Sequence, residues 1–581
     1  MAAVIRLAAI VLLDLAVVLH LAGSLRGAAM FVAFAALVVV PAVTLPRGMA
    51  LIVAAVPWFF LRKAIGMPLL VDVVTAAALI ACALKWGSRP RIRLPIVTFV
   101  VVPLLFALVW LGWNVPVGNE IREYGLFGID FGNLVTVVTS LRCSPMLPLS
   151  FVAGAGPLSY HWLYFTIPAA LADFGGGSMP NANALILTNL LVAMLLVQAV
   201  ASIASNKVAA AIVLLAPFTT YFYQTIAARI ALGPLALPTR NHLLLSPLNS
   251  MITFGNNSVA LVLAIVALAA LERWNRDGKL RDLIAGCAAL AAIIGYSITL
   301  VFPLALALIV WTLLGRVRRP LVALPVAAVI GAMAAAILWE LHVIGGGGTR
   351  HIAIAFDRGQ FLRMAIFGMV PLWALARRRE LTIFHVAIAA CVAVPTMVYL
   401  AGSPTGASDF SMKTASLMAI CFAPLLVTTR SLVAALVVAA GLIQSAAYVL
   451  QFPVYRVRHV TQNGVGIERD YASALAWIRE NTPPSAVVID PHELNNRDEI
   501  FTPILGERRV WLPTAYAKTY LINALPEPVA RREAMWRAFP ASADAMAREA
   551  DVLLVPFDAP SSAWRPVHRE GAWTVFRSAL R

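Results

Sequence analysis

Apolar runs of roughly 20 residues, each long enough to cross about 30 Å of hydrocarbon, recur along the chain up to residue 452. Short polar segments separate them. The pattern predicts helices at 1–22, 27–44, 49–62, 67–84, 94–113, 184–204, 208–226, 259–272, 283–297, 298–314, 321–343, 361–376, 381–400, 413–429 and 431–452. That reading makes about fifteen membrane crossings, with 283–314 either a pair of spans or one broken helix. The first run carries Arg6, Asp14 and His20 and is followed by no small-residue cleavage site, so it reads as a retained helix rather than a signal peptide.

Beyond residue 452 the pattern changes. Charged residues become frequent and no 18-residue apolar run remains. Helical spacing over 470–481, with Leu475 and Ile478 on one side, stops at Thr482-Pro483-Pro484. Short extended segments follow at 486–489, 509–512, 551–555 and 573–576, with a helix around 527–549 between them. The expected fold is therefore an all-α polytopic membrane domain plus a small C-terminal α/β domain. Its divisions are 1–93 (N-terminal transmembrane helices), 94–452 (transmembrane domain with a long loop at 114–183) and 453–581 (the α/β domain).

Composition supports a membrane setting: 61% of the 581 residues are hydrophobic and 13% charged, where soluble chains have about a quarter charged. The net charge of +17 resides mostly in short loops. The clusters Lys85-Arg89-Arg91-Arg93, Arg273-Arg276-Lys279-Arg281, Arg316-Arg318-Arg319 and Arg377-Arg378-Arg379 set orientation by lying in the cytoplasm. Nucleic-acid binding is not needed to explain them. The N-terminus then lies inside and the C-terminal domain outside, with Arg62-Lys63 the one basic pair that disagrees. Of five cysteines only Cys143 falls in an outside loop, so no exported disulfide and no CxxC metal spacing is expected.

The loop over 114–183 is too long for a bare connection. It holds Glu120, Arg122, Glu123, Asp130, Asn133, Arg142, Tyr160 and His161, with apolar pieces such as Leu134 to Val138 that would suit helices along the interface. Carboxylates beside apolar surface suit an amphipathic, lipid-linked substrate. In the tail no GxGxxG, P-loop or metal-ligand spacing occurs, so a docking or lid role is expected there.

The run Gly128-Ile129-Asp130-Phe131-Gly132-Asn133, then Pro145 and Pro148, then Gly156-Pro157-Leu158-Ser159-Tyr160-His161-Trp162, resembles the first extracytoplasmic loop of bacterial membrane glycosyltransferases of the C-type superfamily (GT-C). Gly295-Tyr296-Ser297 resembles that superfamily's broken helix pair. Ser408-Asp409-Phe410-Ser411-Met412-Lys413 resembles an Asn-Asp-x-x-Met-Arg element, and Ala476 to Pro484 the opening of the outside domain. The resemblance covers about residues 94–581.

It implies sugar transfer from a polyprenyl-phosphate-linked donor to a glycan, lipid or protein acceptor, at the outer face of a bacterial cytoplasmic membrane. A carboxylate in the first outside loop acts as base or metal ligand in many members. That role falls first on Asp130, with Glu120 and Glu123 as competitors. A divalent metal is compatible with the chemistry, although no ligand spacing asks for one. Asn133 stands where relatives often have His, so a catalytically silent member is an alternative. Tyr160 and His161 read as acceptor or phosphate contacts, or as interfacial anchors alone. Arg240, His242, Arg350, Arg358 and Lys413, the last beside Asp409, are the candidates for holding phosphate. For each the bland alternative is attraction to anionic headgroups. The intramembrane carboxylates Asp14 and Asp72 favour a second reading, a carrier or flippase of lipid-linked sugars, unless they satisfy each other or Arg6. A non-catalytic scaffold for envelope assembly is the third.

Overall fold

The computed structural model describes residues 2–44, 58–86, 97–110, 114–117, 120–123, 128–146, 149–156, 158, 162–176, 179–203, 255–314, 351–356, 381–401, 465–491, 501–512 and 527–581, with isolated positions between 331 and 425. The expected spans at 208–226 and 431–452 lie outside these residues, as do nearly all of 321–343 and 361–376 and part of 413–429.

The first helices form a tight turn-back. Between α1 (Ala2–Ala22) and α2 (Leu25–Thr44) the chain bends by 119°. Gly23 supplies the left-handed residue that ends α1, at φ 68°, and the Asn183 amide donates to the Leu21 carbonyl. The Ser24 hydroxyl accepts from the Gly27 N–H and opens α2. A helix over 58–65 (α3), then α4 (Pro68–Trp86), lie beside them. A π-turn at Val97–Val101 runs into α5 (Val102–Trp110). After a hairpin of β1 (Asn114–Val117) and β2 (Glu120–Glu123), α6 (Gly128–Cys143) leads to α7 (Thr166–Ala172) and α8 (Asn181–Ile203). Then come α9 (Gly255–Asp277), α10 (Leu280–Ile293) and α11 (Ile298–Leu313). β3 (His351–Ile354) pairs antiparallel with β4 (Val398–Ala401), which continues directly from α12 (Ile383–Met397).

The expectation of about fifteen spans is corrected here. Among the described residues two helices are long and apolar enough to cross a membrane, within α8 and α9, or three if the bent α1–α2 pair counts as one. Length is the physical reason. α10 has 14 residues, α11 16 and α12 15, which at 1.5 Å per residue give only about 21–24 Å. Burial is the second reason, because apolarity here serves a protein core. Of the apolar window in α8, 83% is buried inside the protein, and in α9 94%. Leu134 to Val138, expected along the interface, is likewise buried within α6.

The C-terminal stretch carries a mixed five-stranded sheet in the order β7-β6-β8-β10-β9. Its strands are β6 (Val487–Ile489), β7 (Arg509–Val510), β8 (Val552–Val555), β9 (Trp564–Glu570) and β10 (Trp573–Ser578). β6 runs parallel to β7 and β8, while β8, β10 and β9 are antiparallel. β8 is buried along its whole length, as a central strand covered on both faces should be. α13 (Arg469–Asn481) places Tyr471, Ala474, Leu475 and Ile478 on one stripe against Val488, Val552, Leu554 and Val575. The opposite face (Ile489, Leu553, Val555, Phe576) joins the core that runs on into the helices, past α14 (Phe501–Leu505), α15 (Glu527–Arg537) and α16 (Ala543–Glu549).

Candidate functional site

The 114–183 loop and the C-terminal stretch are built into each other. β2 pairs antiparallel with β5 (Val465–Glu468), placing Glu120 opposite Glu468 and Glu123 opposite Val465. Residues 151–153 add to the free edge of β7: the Val510 N–H donates to the Phe151 carbonyl and the Ala153 N–H to the Val510 carbonyl, each at 2.9 Å. The Arg532 guanidinium, held by Glu549 at 2.8 Å, also donates to the Ala153 carbonyl.

At the centre of this joint is Arg142, in the last turn of α6. One Nη donates to Glu507 Oε2 at 2.5 Å and to Asn181 Oδ1 at 2.6 Å; the other meets Asp173 Oδ1 at 2.7 Å. Glu507 also accepts from the Asn181 N–H at 2.6 Å, at the first residue of α8, where a carboxylate complements the helix dipole. Glu507 has φ 50°, a backbone conformation rare for a non-glycine residue and retained here by bonds on both carboxylate oxygens. Burial pulls the Arg142 guanidinium down, but Asp173 and Glu507 outweigh it and hold it above its ordinary pKa. Burial pushes the neighbouring Cys143 thiol up to about 11, although Arg508 and Arg142 oppose the shift.

Two further cations close helix ends in the same region. Lys63 donates to the carbonyls of Leu141, at 2.5 Å, and Ser144, where α6 ends. Burial lowers its ammonium from 10.5 to about 8. Arg508 binds the Thr482 and Arg479 carbonyls at the end of α13. Arg62 forms a buried pair with Asp72 at 2.9 Å, and Asp72 also accepts from Trp58 Nε1 at 2.7 Å. Both side chains of Arg62-Lys63 therefore serve protein contacts. Asp72 is thus satisfied by Arg62 and Trp58, not by Asp14 or Arg6, the partners weighed for it as an alternative to a functional role.

The residues singled out from the sequence fall as follows. Glu120 and Glu123 lie on β2, and Asp130 in the first turn of α6. Within the same motif Phe131 is buried against Trp110, with ring centroids 4.6 Å apart. A Cβ on Gly132 would lie 2.7 Å from Ile504, so that glycine has a packing reason of its own. Lys413 is buried. Tyr160, His161, Arg240, His242, Arg350, Arg358 and Asp409 lie outside the described residues. Among the described residues no three His, Cys, Asp or Glu side chains are grouped to hold a metal ion. Sequence reasoning missed Asp173, Asn181 and Glu507 as partners of Arg142. The adjacent charges Glu507-Arg508-Arg509, immediately before a strand, were the available signal.

No protein-family model matches the chain, and a search of curated proteins finds no match.

Proposed function

We propose that the protein is a membrane glycosyltransferase that moves a sugar from a polyprenyl-phosphate-linked donor to an acceptor at the extracytoplasmic face of a bacterial cytoplasmic membrane. The observation that carries this reading is the fixing of the carboxylate-bearing segment. The strand with Glu120 and Glu123 pairs with β5, and the helix that opens with Asp130 is locked at its far end by Arg142 to Glu507 and to the head of α8. A general base must be held within hydrogen-bond reach of its substrate, and a rigid support of this kind meets that demand. A membrane setting is supported by exposed apolar side chains on outer helices: Leu12, Leu15 and Leu19 of α1, and Leu69, Leu70, Val73 and Val74 of α4.

The test is transfer of radiolabelled sugar from a panel of polyprenyl-phosphate donors by the purified full chain, beside Asp130→Asn, Glu120→Gln and Glu123→Gln. Transfer by the wild type and its loss in one of these variants is the expected result. Equal transfer by all four proteins removes the carboxylate role. A scaffold is the second reading, favoured by the Arg142 junction, where the buried Glu507 carboxylate is consumed in joining the loop to the C-terminal stretch. Binding of donors without turnover by any protein in the series favours it. The engagement of Asp72 by Arg62 and Trp58 weighs against the carrier reading, which needs that carboxylate in a polar path.

A further inference from the structure

The connection between α9 and α10 carries the cations Arg273, Arg276, Lys279 and Arg281. Two of them are spent on carboxylates: Arg273 meets Asp282 at 3.2 Å and Arg276 meets Asp277 at 2.8 Å. The remaining carboxylate, Glu272, is drawn away to the head of α12, where it accepts from the Ile383 N–H at 3.2 Å. Lys279 and Arg281 are exposed, and neither forms an ion pair with a described residue, although Lys279 lies in the field of Asp277. An apolar stripe runs from these two cations along the outside of α10. Leu280 is 65% exposed and Ile284 59%; Ala288 and Ala291 are exposed as well, with Cys287 half-buried beside them. Steps of three and four residues put these positions on one helix face. The other face is taken: Ala289, Leu290 and Ile293 are buried in the core, and a Cβ on Gly286 would lie 2.9 Å from Leu271 of α9.

Beyond its first turn α10 is therefore apolar all round, with its outer half uncovered. Such a helix belongs in a protein core or in lipid. Length narrows the choice. From Leu280 to Ala291 the stripe rises about 16 Å at 1.5 Å per residue, close to half of a hydrocarbon core about 30 Å thick. A stripe as long as one leaflet, headed by two cations without counter-charge, has the dimensions and polarity of a phospholipid with an anionic head group. A neutral phospholipid would cover the stripe and leave Lys279 and Arg281 uncompensated; a free anion would do the reverse. We infer that Lys279, Arg281 and the outer stripe of α10 form a binding site for an anionic phospholipid of the leaflet that faces this cluster. The inference rests on the membrane setting of the proposed function and not on glycosyl transfer.

The experiment places a photo-crosslinking residue, p-benzoylphenylalanine, at the position of Ala288 in the full chain. The protein is held in nanodiscs of phosphatidylcholine with about one part in five phosphatidylglycerol, and the captured lipids are weighed by mass spectrometry. The same residue in place of Val73 on α4 is the reference: that position is 59% exposed, and the cations before it, Arg62 and Lys63, are turned toward protein groups. Each Lys or Arg near an anionic head group contributes about fivefold in binding, so phosphatidylglycerol should be enriched at 288 over 73 by roughly twentyfold. Arg281→Gln should lower this to about fivefold, and the double variant with Lys279→Gln to the ratio seen at 73. Both side chains are exposed, so these variants should accumulate as the wild type does. Equal ratios at the two positions, or enrichment that survives in the double variant, overturn the site and leave the membrane setting standing. Lipid captured at 73 but none at 288 does the same, and means that protein covers the stripe. No lipid at either position overturns the membrane setting itself, and the inference with it.

Discussion

Replacing Arg142 by Met tests whether the loop and the C-terminal sheet move as one body. The substitution keeps an apolar stem of similar length and removes the ion pairs with Glu507 and Asp173, while the Arg532 bond to the Ala153 carbonyl remains. The Glu507 side chain is 2% exposed and would be left with the Asn181 N–H and, of nearby cations, the adjacent Arg508 but no direct ion pair. Breaking a buried ion pair from one side costs roughly 3–5 kcal/mol. The Asp173 half contributes little, because that side chain is 42% exposed and solvent screens it. Taking the lower figure, about 3 kcal/mol corresponds to a hundredfold or more in the local opening constant. Native-state hydrogen exchange reads this directly. The Ala153 and Val510 amides, which bridge the loop and β7, should exchange about a hundredfold faster, while amides between β8 and β10 remain as in the wild type. Glu507→Gln should cost less on its own, since the amide still accepts from Asn181. In the double variant the two effects should fall short of additive by more than about 1 kcal/mol. A change below threefold at Ala153 and Val510, or strict additivity, refutes the claim that this pair locks the joint.

Three further outcomes follow from the same geometry. Lys63 has a folded-state pKa of about 8 against an ordinary 10.5, so between those values the unfolded chain binds more protons and stability rises with pH. Exchange at the end of α6 should therefore slow from pH 8 to pH 10, after correction for intrinsic rates, and Lys63→Met should abolish the trend. In Gly255→Ala the added methyl collides with the Tyr164 hydroxyl and the Asn189 amide oxygen; overpacking of about 1–3 kcal/mol should lower the thermal midpoint, and an unchanged midpoint contradicts the close approach. Trp573→Phe removes the indole N–H bond to Glu468 Oε2 (2.9 Å) and part of a buried ring packed with Tyr471, Val552 and Leu554; it should cost more than the roughly 1 kcal/mol of the bond alone and speed exchange in β5, and unchanged exchange there contradicts the contact.

The short-range patterns in the tail were legible. Apolar spacing and a proline stop placed the helix at 470–481, and compact β-branched runs placed β6, β8 and β10. β9 was not legible. Its sequence, Trp-Arg-Pro-Val-His-Arg-Glu, is charged and contains proline because it is an exposed edge strand, where such residues are tolerated. The expected helix at 527–549 is two, α15 and α16, separated around Phe539-Pro540.

What sequence alone determined was where the chain is apolar and where it is not, since hydropathy and turn chemistry act over a few neighbouring residues. It did not distinguish a helix apolar because lipid surrounds it from one apolar because protein does. Burial of α8 and α9, and the shortness of α10 to α12, are decided by packing between segments far apart in the chain. The partners of charge belong to the same class. Arg142 and Glu507 are 365 positions apart, and β2 meets β5 across a similar interval. Only the tertiary fold brings such groups within hydrogen-bond distance, and low dielectric at the joint then makes their pairing strong enough to hold it.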